Sequence, residues 1–396
     1  MGNGEDIILR RVTSYAIRTG LGALAFLLVF VPVLAAILVW QVSRGPVSIA
    51  RALPYAVDVV RDRTGAEVSA KDAVLAWDES RRRLVFRLTQ AAIGVPGGVS
   101  VRLPLVDLSY TLSGLARREF LPTAVAVHRP RLVLARDAEG NVHVGVGEGE
   151  TAPAQPPQAD AAGFDLRATL APLLAPGDEH LDSVAVIDAE ATVIDIPRGR
   201  HYGVPRLNAR IDRTPEGLSA AADFAAAIGG VTAAFEIAAR YDEAPGEVHA
   251  TLEFQEVVPS LFAKEFQTLA DASGFAVPLS GRISARLKPR DVTAVDRDDL
   301  MRADVEAEIY GGQGIVVAPR PVGLAYPIHG FRIQGGYDGA AGRASLDSLL
   351  VELPDATIAA DADAAWPTEA NPSADGVKVR ASARLTDTAI DSFERY

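Results

Sequence analysis

The chain has 396 residues, a net charge of −12 and no cysteine. That acidic balance argues against a nucleic-acid partner, and the missing cysteines exclude disulfides and cysteine metal sites. Hydrophobic residues make up 48 % of the chain, but much of that share is Ala and Val spread thinly, so dense helical cores are not expected outside one segment.

That segment comes first. Between Arg18 and Arg44 stand 25 residues without a charge, TGLGALAFLLVFVPVLAAILVWQVS. At about 1.5 Å per residue they reach roughly 38 Å, enough to cross a hydrocarbon core of about 30 Å. The pattern predicts a transmembrane anchor over residues 19–43, with Leu21, Phe26, Phe30, Leu34 and Trp40 on its apolar and interfacial surface. It is too long for a signal peptide and has no small-x-small site at its end. Arg10, Arg11 and Arg18 precede it, while Arg44 and Arg51 follow. This slight bias puts residues 1–18 in the cytoplasm and the bulk of the chain across the membrane.

Beyond the anchor the dominant period is two. Leu84, Phe86 and Leu88 alternate with Arg83, Arg87 and Thr89; Val248, Leu252 and Phe254 alternate with Glu247, Thr251 and Glu253. Ile283 and Leu287, Val305 and Ile309, and Val379 and Leu385 sit in the same pattern. Each run predicts a strand with one apolar and one wet face, as in antiparallel sheet. Residues 181–196 read as a strand pair, and 217–239 as a hairpin through Gly229–Gly230. Turn signals at Pro215–Gly217, Pro245–Gly246 and Asp338–Gly339 imply meander order. Residues 326–365 loosely repeat the earlier pattern. Helical pattern is limited to residues 54–63, 164–174 and 259–273, which disfavours a parallel α/β fold. The stretch 145–163, GVGEGETAPAQPPQADAAG, reads as a flexible linker. It separates a first unit, 44–144, from a second, 164–396. A half-apolar sheet must cover its face, either by closing into a sandwich or by curling into a trough around a ligand.

Catalytic constellations are not found. His128, His143, His180, His201, His249 and His329 are scattered, and none has the spacing of a zinc-peptidase helix. Gly145, Gly147 and Gly149 lead into prolines rather than a helix, so they do not predict a phosphate cradle. Asp291, Asp296, Asp298, Asp299 and Asp304 lack the Gly and Glu of a calcium loop. Arg81, Arg82 and Arg83 form the densest basic run, which reads as a solvated strand edge. No cofactor and no metal is expected.

Several segments carry a family resemblance. GPVSIARALPYAVDVV after the anchor, DAVLAWDESRRRLVFRL, SVRLPLVDLSYTLSGL and VHRPRLVLARDAEGN are followed by VPRLNARIDRTPEGLSAAADF, PLSGRISARL and IQGGYDGAAGRASLDSLLVELP. Together they resemble bacterial AsmA-like proteins, in particular the YhdP-like branch. The resemblance implies a mainly β fold: an N-terminal transmembrane helix, then a long twisted antiparallel β-sheet groove with a few short helices. It further implies a single-pass protein of the inner membrane in a Gram-negative cell, with its bulk in the periplasm. The implied cargo is phospholipid moving towards the outer membrane, and the implied partner is an outer-membrane or periplasmic protein that continues the groove. The groove would be lined by Leu84, Phe86, Leu88, Val248, Leu252, Phe254, Ile283, Leu287, Val305, Ile309, Val379 and Leu385. The competing expectation is a closed β-sandwich acting as an assembly factor for the envelope. Members of this branch are usually much longer, and DTAIDSFERY breaks off in mid-pattern, as a fragment or short member would. About twenty strands would stack to roughly 95 Å.

Overall fold

The computed structural model describes residues 44–51, 67–94, 100–117, 122–136, 142–146, 181–265, 272–289, 301–317, 323–368 and 376–386. The expected anchor with Leu21, Phe26, Phe30, Leu34 and Trp40 lies outside these residues, as do segments 1–18, 54–63 and 164–174 and most of 145–163. No helix among the described residues is long and apolar enough to cross a membrane.

Alternating residues make this chain mainly β. In order come β1 (Val47–Ser48), β2 (Glu67–Ser69), β3 (Asp72–Asp78), β4 (Arg83–Gly94), β5 (Ser100–Thr111), α1 (Leu112–Ala116), β6 (Ala124–His128), β7 (Arg131–Arg136) and β8 (Val142–Val146). Then follow β9 (Ser183–Asp195), β10 (Arg200–Thr214), β11 (Gly217–Ile228), β12 (Val231–Asp242), β13 (Glu247–Val257), α2 (Pro259–Glu265), β14 (Phe275–Ala276) and β15 (Leu279–Leu287). The last are β16 (Asp304–Gly311), β17 (Gly314–Val317), β18 (Ala325–Ile328), β19 (Gly330–Asp338), β20 (Arg343–Leu353), β21 (Ala356–Ala365) and β22 (Lys378–Thr386).

Nineteen strands form one large mixed sheet, and β14, β17 and β18 form a small one. Hydrogen bonds lead from β1 through β3, β4 and β5 to β6, across β9, and then in sequence from β10 to β13, β15, β16 and β19 to β22. Every pairing is antiparallel except at β9, which runs parallel to both β6 and β7. The purely antiparallel expectation is corrected there. β6 and β7 are successive lengths of one line that breaks at Arg129, whose φ is 50°. The first length pairs with β5 and the second with β8. Because several strands share a position in this way, the sheet is sixteen positions wide. At about 4.8 Å each it spans about 70 Å, shorter than twenty independent strands would reach.

The 181–196 segment is one strand, not a pair. Asp188, with a φ of 55°, bulges out of β9 and restores the alternation beyond it. Gln90 of β4 also has a positive φ, 50°, and Leu88 and Ala91 on either side of it pack in one buried cluster. The strand β8 runs to Val146, two residues into the expected linker.

Among the described residues the larger buried clusters lie at the β1 end, and a smaller one joins Val133, Ala135 and Ile194 of β7 and β9. Ala73, Leu88, Ala91 and Val106 form one buried cluster, with Ile49, Leu103, Leu108 and Val125 against it. Leu75 and Leu84 form another with Val47, Trp77, Phe86 and Leu115. Leu115 comes from α1, whose first turn is capped by the Gly114 N–H donating 3.2 Å to Thr111 Oγ1. Phe86 meets Tyr110 edge to face at 5.2 Å, and burial pushes the Tyr110 phenol above its ordinary pKa.

Two smaller layers stand over one set of strand ends. Phe262 of α2 packs edge-on to Phe235, which stacks on Phe224 at 5.0 Å. Phe275 of the small sheet meets Phe331 of β19 edge to face at 5.5 Å. Phe331 lies over Gly311, where a Cβ would come within 2.1 Å of the ring. Gly311→Ala is therefore expected to displace Phe331 and loosen the small sheet, at a cost of about 1–3 kcal/mol. Chemical denaturation of the variant checks it.

Candidate functional site: a continuous apolar face

Register decides which side chains share a face. One row runs Ala73, Leu88, Val106, Val127, Val186, Ala209, Ala222, Ile237, Leu252, Ile283, Ala307, Gly335, Leu346, Ala362, Ala381, each beside the next in a neighbouring strand. A second row beside it runs Leu75, Phe86, Leu108, Val125, Val184, Ile211, Ala220, Ala239, Ala250, Ala285, Val305, Tyr337, Ala344, Ala364, Val379. Neither contains a charged residue over its whole length. The faces keep their identity through the bulges and through the parallel junction at β9.

All twelve residues named from the sequence fall on this face. Phe86, Leu88, Leu252, Ile283, Val305 and Val379 belong to the two rows. Leu84, beside Trp77 and Tyr110, and Val248 with Leu287 flank them towards one set of strand ends. Phe254, Ile309 and Leu385 flank them towards the other. The structure adds Phe224, Phe235, Ile237 and Ile358, which periodicity missed because Ala stands on both faces of β11, β12 and β21, together with Ile333 of β19 and Leu346 of β20.

The covering of this face changes along the sheet. Leu75, Leu84, Leu88 and Val106 are buried under the β1-end cluster, and Phe254 and Leu287 are buried locally. From β9 to β21 none of the two rows' side chains is buried. Ile237 is 37 % exposed, and on the edge strand β22 Val379 reaches 69 %. An apolar surface of this length on a folded chain calls for an occupant.

The opposite face carries the charges, and they pair across strands. The Arg87 guanidinium donates two hydrogen bonds to Asp107, at 2.8 and 2.7 Å, and His128 Nε2 lies 3.1 Å from the same carboxylate. The hydrogen bonds to Asp107 hold Arg87 above its already high pKa. Arg282 pairs with Glu253, Arg332 with Glu308, and Arg83 with Asp182 at 2.7 Å. Within the basic run of residues 81–83, Arg83 is thus an ion-pair partner. Asp291, Asp296, Asp298 and Asp299 lie outside the described residues. No cluster among the described residues could hold a metal ion.

A shallow depression of about 440 Å³ on this face is lined by His249, Arg286, Asp304, Asp338 and Arg343 among others. Desolvation and the directly opposed Asp338 push the Asp304 carboxyl above its ordinary pKa. Asp304 therefore opposes folding when ionised, and stability falls as pH rises through its raised pKa. Asp304→Asn is expected to stabilise the fold by about 0.2–1 kcal/mol at neutral pH. That gain should vanish below the ordinary aspartate range, as thermal melts across pH would record.

No family model matches the chain, and no curated protein matches it.

Proposed function

We propose that this protein is an AsmA-like protein of the YhdP-like branch: a single-pass, inner-membrane-anchored β-groove that moves phospholipid across the periplasm towards the outer membrane. The observation that carries this reading is the pair of uncharged rows, unbroken over fifteen strand positions and half open from β9 to β21. An acyl chain in water costs about 0.8 kcal/mol per exposed CH₂. A continuous apolar lining removes that cost at every step of a passage, and no chemical step is needed. The charged face opposite meets water through cross-strand ion pairs. A closed sandwich serving as an assembly scaffold would bury Ile237 and Leu252 as deeply as Val106, which is 1 % exposed.

The uncharged segment 19–43 would supply the anchor in this proposal, and the sheet begins at Val47, a few residues further along the chain. Native mass spectrometry of the detergent-extracted full chain tests the reading. Co-purified phospholipid is expected; a lipid-free chain would sink it.

A further inference from the structure

The two margins of the apolar face differ in chemistry. At one set of strand ends the large sheet places Phe224, Phe235, Phe254, Ile309, Ile333 and Phe331, side chains without a polar atom. Phe262 of α2 packs on Phe235 over this margin, and Phe275 of the small sheet packs on Phe331. At the other margin stand aromatic rings that carry a polar edge. Tyr241 lies beside Leu218 and Val248. Trp366 follows β21; its backbone N–H donates 2.9 Å to the Gly342 carbonyl, and its ring stacks on Tyr337 at 5.7 Å. All three are half-buried. Such rings favour the boundary between hydrocarbon and headgroups, because they bury an apolar body and keep a polar tip for polar neighbours.

The spacing across the face is the same on two strands. Tyr241 and Phe235 are six residues apart on β12, and Tyr337 and Phe331 are six apart on β19. An even spacing keeps each pair on one side of the sheet, and six residues extend about 20 Å. One leaflet of a bilayer supplies about 15 Å of hydrocarbon, half of a core of about 30 Å. Four antiparallel pairings separate β12 from β19, so the two strands run in the same direction. Both tyrosines therefore lie towards one margin and both phenylalanines towards the other.

We propose that phospholipid lies across this face, with its headgroup at the Tyr241–Trp366 margin and its acyl chains running along the strands to the roofed phenylalanines. The proposal rests on the groove reading and fixes the orientation of its cargo. The reverse orientation would press a phosphate against rings that offer no donor, where an unpaired charge is very costly. Acyl chains laid along the rows would give the headgroup no fixed margin and leave the matched spacing on β12 and β19 without use.

Two phospholipid probes test this on the detergent-extracted full chain, one with a photoreactive diazirine on the headgroup and one with it at the acyl terminus. After irradiation and proteolysis, mass spectrometry locates the labelled residues. The headgroup probe is expected to mark residues around Tyr241, Tyr337 and Trp366, and the chain-end probe those around Phe235 and Phe331. Combining Tyr241→Phe with Trp366→Phe keeps aromatic rings at both positions and removes the hydroxyl and the indole N–H. This variant should lower headgroup labelling at its margin about threefold, while chain-end labelling and the melting temperature hold. Equal labelling of both margins by both probes, the reverse pattern, or unchanged headgroup labelling in the double variant overturns the orientation and leaves the groove reading intact. Labelling by neither probe removes the groove reading and this proposal with it.

Discussion

Val106→Asp should melt the β1–β6 end of the sheet and leave β11–β21 folded. Val106 is 1 % exposed and sits between Leu88 and Val127, within a cluster closed by Ile49, Leu103 and Leu108. A carboxyl placed there has no partner and no water, so even its protonated form costs several kcal/mol, roughly 2–7. That approaches the whole stability of a typical domain, about 5–15 kcal/mol. The damage should stay local, because each strand bonds only to its neighbours and stability is close to a sum of nearest-neighbour terms. Hydrogen exchange read by mass spectrometry should show β3, β4 and β5 losing protection while β11 to β13 retain theirs. Uniform loss, or none, would contradict the division into a packed end and an open span.

Leu252→Asp and Ile283→Asp should do the reverse. These residues face each other across β13 and β15 on the same row as Val106, yet both are only half-buried. A carboxylate there can reach water, so the fold should survive with a melting temperature within a few degrees of the parent. Two opposed charges in mid-face would break the apolar continuity, and co-purified phospholipid should fall to a small fraction. Phe86 belongs with Val106 in this comparison. It packs in the β1-end cluster, so a charge there is expected to unfold that end rather than merely empty the face. Identical substitutions along one row thus separate the role of covered positions from that of open ones.

The apolar face was legible in the sequence wherever contrast was strong. In β13, β15 and β16, Val, Leu and Ile alternate with Arg and Glu, and the period of two fixes each residue's side. Contrast fails in β11, where Ala220, Ala221 and Ala222 put the same side chain on both faces. It fails again in the small sheet, where neither face is polar and no period exists. Local breaks in the backbone were invisible for another reason. Gln90 and Asp188 adopt positive φ without glycine, and Asp188 broke the alternation of β9 in a way that read as a turn. The parallel pairing of β6 and β7 with β9 joins residues about sixty positions apart, and no local pattern encodes it. Which stretch of the face is covered depends on Val47, Ile49 and Leu115 folding back over β3 to β5, a tertiary fact that periodicity does not carry.

The unbroken course of the two rows from β9 onwards has a consequence for how such a sheet can change in size. Ala209 of β10 reaches Leu252 of β13 through Ala222 and Ile237, and β10 runs antiparallel to β13 just as it does to β11. Excising or duplicating one hairpin, such as β11–β12, would therefore preserve strand direction and both faces. The sheet would simply become about 10 Å shorter or longer. Its length behaves like a ruler graduated in hairpins, which evolution or design can reset without rewriting the chemistry of either side.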